Sequence, residues 1–130
     1  MSYLSTGTNT QTVTVATETA LAQIPVNLTG IPAGAQVIIS GVVACAAGTA
    51  GTTAAVKVRQ GSGVAGTQVG TTITGPVQTG GLAVIVPFTV VDSAPAVNGS
   101  YTVTLTFTAN TSSVVTSTVF SIADTGILND

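Results

Sequence analysis

The amino-acid sequence predicts an all-β chain folded as an antiparallel β-sandwich of about eight strands, with a jelly roll preferred over an immunoglobulin-like arrangement. Three observations carry that prediction. From Tyr101 to Ala109 apolar residues and threonines alternate without a break, which is the period-two pattern of a strand with one buried face. Strand-like runs recur roughly every 10–15 residues, separated by Gly, Pro, Asn and Asp. No stretch carries the apolar period of an amphipathic helix. A seven-strand immunoglobulin domain needs only ~100 residues, so eight strands in this length favour the jelly roll.

Taken in order, residues 1–10 are polar and aperiodic and read as an N-terminal arm. Gln11–Ala16 alternates Thr and Val as a first strand, with Val13 and Val15 inward. Ala20–Val26 is extended and belongs at a sheet edge, because Pro25 cannot donate to a ladder. Ile31-Pro32-Ala33-Gly34 is a turn that launches Ala35–Cys45. That run is apolar on both alternating faces, Val37, Ile39 and Val43 against Ile38 and Val42, and predicts a central strand covered on both sides. Gly41 inside it predicts a bulge or bend.

Thr52–Gln60 turns Ala54, Val56 and Val58 inward and Ala55, Lys57 and Arg59 outward. Thr67–Thr74 is a weaker strand interrupted by Gly70. Leu82–Val91 places Leu82, Val84, Val86, Phe88 and Val90 on one face, with Pro87 marking an edge or bulge on the other. After the Tyr101–Ala109 strand, Asn110–Ser113 turns the chain into a last strand, Val114–Ala123. The predicted division is an arm over 1–10, one sandwich domain over 11–124 and a tail over 125–130.

Charge is the unusual property. Six residues carry it (Glu18, Lys57, Arg59, Asp92, Asp124 and Asp130), 5% of the chain where about a quarter is usual. Thr is roughly one residue in five, so the surface is expected to consist of Thr, Ser, Gly, Ala and Gln. With a net charge of −2, self-repulsion is weak, which points to a subunit that packs against others. Two cations are too few to neutralise a phosphate backbone, so no nucleic-acid partner is expected. No run reaches the ~18–20 apolar residues of a membrane span, and the N-terminal stretch shows no secretory pattern. The one cysteine, Cys45, reads as a small core residue.

The motifs carry little chemistry. Gly61-Ser62-Gly63-Val64-Ala65-Gly66 satisfies G-x-G-x-x-G, but a dinucleotide site needs a helix next, and Thr67–Ile73 is β-like; the expectation is a loop. Asp124-Thr125-Gly126 matches the aspartic-protease triplet, yet four residues follow it and no supporting segment is present; it reads as a turn. Histidine is absent, which removes the usual general base and metal ligand. Glu18, Asp92, Asp124 and Asp130 offer no evident carboxylate pair, and no tryptophan is present to build a sugar cleft. The sequons at Asn27, Asn98 and Asn110 read as loops and turns. No enzyme, cofactor or metal is expected.

Ile31–Val43, a Pro-Ala-Gly turn followed by a long strand, resembles the tumour-necrosis-factor/C1q-like jelly rolls. Val56–Gly70, with Gly99-Ser100-Tyr101-Thr102-Val103 downstream, is similar to small jelly-roll proteins of tailed-phage virions. Gly-x-Tyr-x-Val-x-Leu is also similar to PKD-type immunoglobulin-like domains, whose Trp-x-Phe-Gly-Asp signature this chain lacks. The virion resemblance implies a non-enzymatic capsid decoration or fibre subunit on the head surface. It implies a trimer that binds a major capsid protein or another virion protein.

Expected contact residues are Tyr3 and Leu4 as apolar anchors of the arm, Lys57 and Arg59 on an outward strand face, and Thr102, Thr104 and Thr106 on an open threonine face. The alternatives are an extracellular, pilin-like filament that donates residues 1–16 as a strand, and a surface adhesin module, which would need exposed aromatics.

Overall fold

The computed structural model describes residues 2–7, 10–27, 36–45, 53–77, 84–93, 95, 98–108, 112–115 and 118–124, with side chains described for 12–26, 36–45, 53–77, 84–93, 95 and 99–108. Ten strands and no helix lie among them. In chain order they are β1 (Ser2–Gly7), β2 (Thr10–Val13), β3 (Thr19–Asn27), β4 (Val37–Cys45) and β5 (Ala54–Gln60). The second half holds β6 (Thr67–Thr74), β7 (Val84–Asp92), β8 (Asn98–Phe107), β9 (Ser112–Val115) and β10 (Thr118–Asp124). Every pairing is antiparallel.

Ten segments reduce to the eight predicted strands. Ser2 faces Ala123 and Gly7 faces Thr118, then Thr10 faces Val115 and Val13 faces Ser112, so both ladders share one register. β1–β2 thus acts as one strand against β9–β10. The first sheet then has the order β1/β2, β9/β10, β4, β7, and the second has β3, β8, β5, β6. The partners are nested: β5 with β6, β4 with β7, β3 with β8, and β1/β2 with β9/β10. That is one long hairpin with its tip at Gly61–Gly66, rolled so that alternate pairs fall in opposite sheets. The result is the jelly roll.

The core lies between the sheets and follows the period-two pattern. Tyr101, Val103, Leu105 and Phe107 of β8 are buried, as are Ala54, Val56 and Val58 of β5. The other sheet contributes Val13, Val37, Ile39, Val43, Cys45, Val86, Phe88 and Val90. Pro25 and Pro87 sit exposed on β3 and β7, both edge strands, as their missing N–H requires. Gly70 has φ 69° at a register shift between β5 and β6, a bulge that a Cβ would crowd against Val90.

Several expectations are corrected. Ser2–Gly7 is not an aperiodic arm but an edge strand, because backbone pairing with β10 does not depend on side-chain alternation. The first strand stops at Val13 rather than Ala16, since Thr14–Thr17 forms a turn in which the Thr17 N–H donates to the Thr14 carbonyl at 3.1 Å. Gly41 makes no bulge: both its ladders keep register, and it lies between Phe88 of β7 and Phe120 of β10. β4 is central but is not covered on both sides; Ile38 and Val42 are only half-buried. The Ile31–Gly34 turn, the Asn110 sequon and residues 125–130 lie outside the described residues.

Ala16 holds φ 61° at the third position of the Thr14–Thr17 turn, a conformation that costs a non-glycine residue ~1 kcal/mol or more. Its N–H donates to the Phe107 carbonyl at 2.9 Å, so the turn is pinned to the sandwich. Ala16→Gly is expected to raise stability by ~0.5 kcal/mol, the relieved strain less the extra entropy of the unfolded chain. A denaturant midpoint that stays or falls would refute this.

Candidate functional site

The centre of the outer face of the β3–β8–β5–β6 sheet is covered by the chain itself. Thr102 and Thr104 point away from the core by alternation, yet they are 1% and 0% exposed. The hairpin tip folds back over the first: the Thr102 hydroxyl donates to the Gly61 carbonyl at 2.7 Å and accepts from the Gly63 N–H at 3.2 Å. Gly61 and Gly63, at φ 117° and 75°, allow that fold-back, and the Gly61 N–H donates to the Ser100 carbonyl at 2.7 Å. The G-x-G-x-x-G stretch is therefore a strand-to-strand loop that caps its own sheet.

Glu18 covers the second threonine. Its Oε2 accepts from the Thr104 hydroxyl at 2.6 Å and from Arg59 Nε at 2.5 Å, and its Oε1 accepts from Arg59 Nη2 at 2.7 Å. Arg59 Nη1 donates to the Gly66 carbonyl at 2.8 Å. The forked guanidinium thus ties the turn before β3, the strand β5 and the hairpin loop together. The Arg59 bond, opposed by burial and helped by Thr104, holds the Glu18 carboxyl down at about 2, and Glu18 in turn pushes Arg59 upward.

A second polar anchor stands at the end of β7. Asp92 is buried, and its Oδ2 accepts from the Tyr101 hydroxyl at 2.6 Å and from Gln60 Nε2 at 3.0 Å. Burial first, then the Asp92 bond, pushes the Tyr101 phenol well above its ordinary value. Beside it, a cleft of about 350 Å³ lies against Gln60, Gln68, Asp92 and Ser93. Burial likewise raises the Cys45 thiol to about 11, so it carries no thiolate at neutral pH. No group of three or more His, Cys, Asp or Glu that could hold a metal occurs among the described residues.

The outer face of the other sheet differs in kind. From β4 it shows Ile38, Ser40, Val42 and Ala44, and from β7 Ile85, Pro87, Thr89 and Val91. They form four rungs, Ile38 with Val91, Ser40 with Thr89, Val42 with Pro87 and Ala44 with Ile85. Ile85 is 63% and Val91 43% exposed. No rung carries a charge.

The expected contact residues do not converge. Tyr3 and Leu4 sit in β1, opposite Ile122 and Ser121; their side chains lie outside the described residues. Lys57 and Arg59 do face outward on β5, but on the opposite sheet, and Arg59 is engaged by Glu18. Thr102 and Thr104 are spent inside the chain, while Thr106 is half-buried. Sequence reasoning missed the Glu18 and Asp92 anchors, whose partners lie 41 and 9 residues away. It also missed the β4–β7 face. The signal was present in the two-sided apolarity of Ala35–Cys45, taken as burial.

The strand order makes this a jelly roll in class. Among solved structures the chain is similar to that of the infectious bursal disease virus Gx strain, at 14% identity and a TM-score of 0.65 over 100% of this chain. It is also similar to the infectious bursal disease virus VP2 subviral particle, at 13% identity and a TM-score of 0.62 over 94% of this chain. It spans about a third of those chains, 33% and 32%, and at these identities the likeness is one of fold. No protein-family model and no curated protein matches the chain.

Proposed function

We propose that this chain is a non-enzymatic structural subunit of a virus particle, built to pack against other protein subunits. The observation that carries the reading is the whole-chain likeness in fold to infectious bursal disease virus structures. The chemistry agrees with it. Glu18 and Asp92 are committed to internal bonds, the thiol is held protonated, and no histidine is present. What the molecule offers a partner is shape and an uncharged surface.

The finer reading is a capsid decoration or fibre subunit of a tailed-phage head, trimeric and bound to a capsid protein; the sequence likeness at Val56–Gly70 and Gly99–Val103 supports it. Tyr3, Leu4, Lys57 and Thr106 remain proposed contacts. The pilin-like alternative requires residues 1–16 to be donated to a neighbour, whereas Ser2–Gly7 and Thr10–Val13 occupy their own chain's sheet. Light scattering and negative-stain electron microscopy of the purified chain test the subunit reading. A discrete oligomer or closed particle is expected, and a clean monomer at the highest soluble concentration would overturn it.

A further inference from the structure

We infer that residues 2–13 are an exchangeable strand: in the assembled state two copies of this chain trade them, each filling the other's place beside β9 and β10. The inference rests on the structural-subunit reading and deepens it by naming what one copy gives another. In the isolated chain the segment lies in its own sheet, with Ser2 opposite Ala123 and Val13 opposite Ser112. β1 and β2 form an edge, paired only with β10 and β9 among the described residues. The bonds of that ladder, and the buried place of Val13, are the same whichever copy supplies the strand. Trading it therefore leaves the ladder's own energy unchanged.

The hinge then decides. Thr14–Thr17 turns the chain from β2 toward β3 with Ala16 at φ 61°, a left-handed conformation that a side chain resists. Opening the turn lets Ala16 return to an extended conformation, and a short hinge under strain favours exchange. The Ala16 and Thr17 N–H groups give up the Phe107 and Thr14 carbonyls, but both residues are exposed and water takes over as acceptor. Copies already held together by other contacts lose no further translational freedom, so exchange belongs to the assembled state.

The remaining edges select the acceptor. A released strand needs a bare edge, whereas β3 and β7 carry Pro25 and Pro87, and Gly70 bulges β6. That leaves the vacated side of β9 and β10, whose register already fits residues 2–13. Fully extended, the four hinge residues reach ~13 Å, so the exchanging copies meet along the side where β1 lies beside β3. Each copy has one such segment and one such place. Reciprocal exchange thus closes on two copies and, unlike a filament, leaves no donor strand over.

The test is a disulfide across the ladder, which records whether one chain or two supply it. Thr12→Cys/Ser113→Cys and Gly7→Cys/Thr118→Cys each put two thiols at facing positions, with Cα separations of ~4.5–5.5 Å that a disulfide spans. Each variant is refolded under reducing conditions at low and at high concentration, sized by light scattering, oxidised and run on a denaturing gel; Cys45 is buried and silent. The dilute sample is expected at the mass of one chain and the assembled sample at the mass of two. Adding Ala16→Gly, which relieves the hinge in both copies, should lower the ratio of two-chain to one-chain product about 5-fold. One-chain product alone from a sample that assembles overturns the exchange and leaves the subunit reading intact. A two-chain band as strong from Thr12→Cys or Ser113→Cys singly, or a ratio that Ala16→Gly does not move, overturns it as well. A chain that stays monomeric at high concentration overturns the subunit reading, and the exchange with it.

Discussion

Tyr101→Ala is expected to lower unfolding free energy by ~3–5 kcal/mol, and Tyr101→Phe by ~1.5–3 kcal/mol. Both numbers come from the same side chain. The ring is among the largest fully buried groups in the sandwich, so its removal leaves a cavity between sheets that cannot collapse onto it. The hydroxyl donates to Asp92 at 2.6 Å, and Phe leaves that buried carboxylate with one partner fewer. Denaturant midpoints with unchanged slopes separate the two contributions; a Phe variant as stable as the wild type would remove the hydroxyl's role. The pH dependence has a definite sign. With the folded phenol raised above its ordinary 10, the contribution is complete below pH 10 and is lost as pH climbs beyond it. Tyr101→Phe should erase that part of the alkaline limb.

Arg59→Met is expected to cost ~1–3 kcal/mol at neutral pH, because it strands Glu18 against a buried threonine. The figure is kept below the full value of the carboxyl's shift because water still reaches the pair's edge. Glu18 titrates at about 2 when folded and near 4.5 when not, so the pair's contribution is present above pH 4.5 and is lost as pH falls toward 2. The gap between wild type and variant should therefore close across that window. A gap that stays constant down to pH 2 would mean that Arg59 acts through packing alone. Replacing both partners, as Glu18→Gln/Arg59→Met, is expected to cost less than Arg59→Met, since no unpaired charge remains.

How much of this was legible beforehand can be judged residue by residue. Alternation placed Tyr101, Val103, Leu105 and Phe107 inward correctly, and Pro25 and Pro87 marked edges, because these follow from local geometry. Alternation says which side a residue takes, not what lies over that side. Thr102 and Thr104 looked like open surface because the loop that covers one and the Glu18 that covers the other are remote in sequence. Gly41 shows the converse: without knowing the register, its Phe88 and Phe120 neighbours were invisible, and the usual reading of a strand glycine as a bulge prevailed. Ala35–Cys45 was ambiguous in principle, since a strand covered on both sides and a strand awaiting a partner carry the same letters. Of the contact residues drawn from charge and threonine content, Arg59, Thr102 and Thr104 bond within the chain itself.

The register shared by the β1–β10 and β2–β9 ladders also sets a clock. A ribosome adding ~5–20 residues per second needs roughly 5–20 s to go from one member of that ladder to the other. During this interval the β3–β8–β5–β6 sheet becomes complete, for its last strand ends at Phe107, while β4 still has one open side. The neutral sheet is finished only when β9 and β10 emerge and zip between β4 and β1–β2. Synthesis therefore completes the β3–β8–β5–β6 sheet first and the sheet that holds β4 and β7 last.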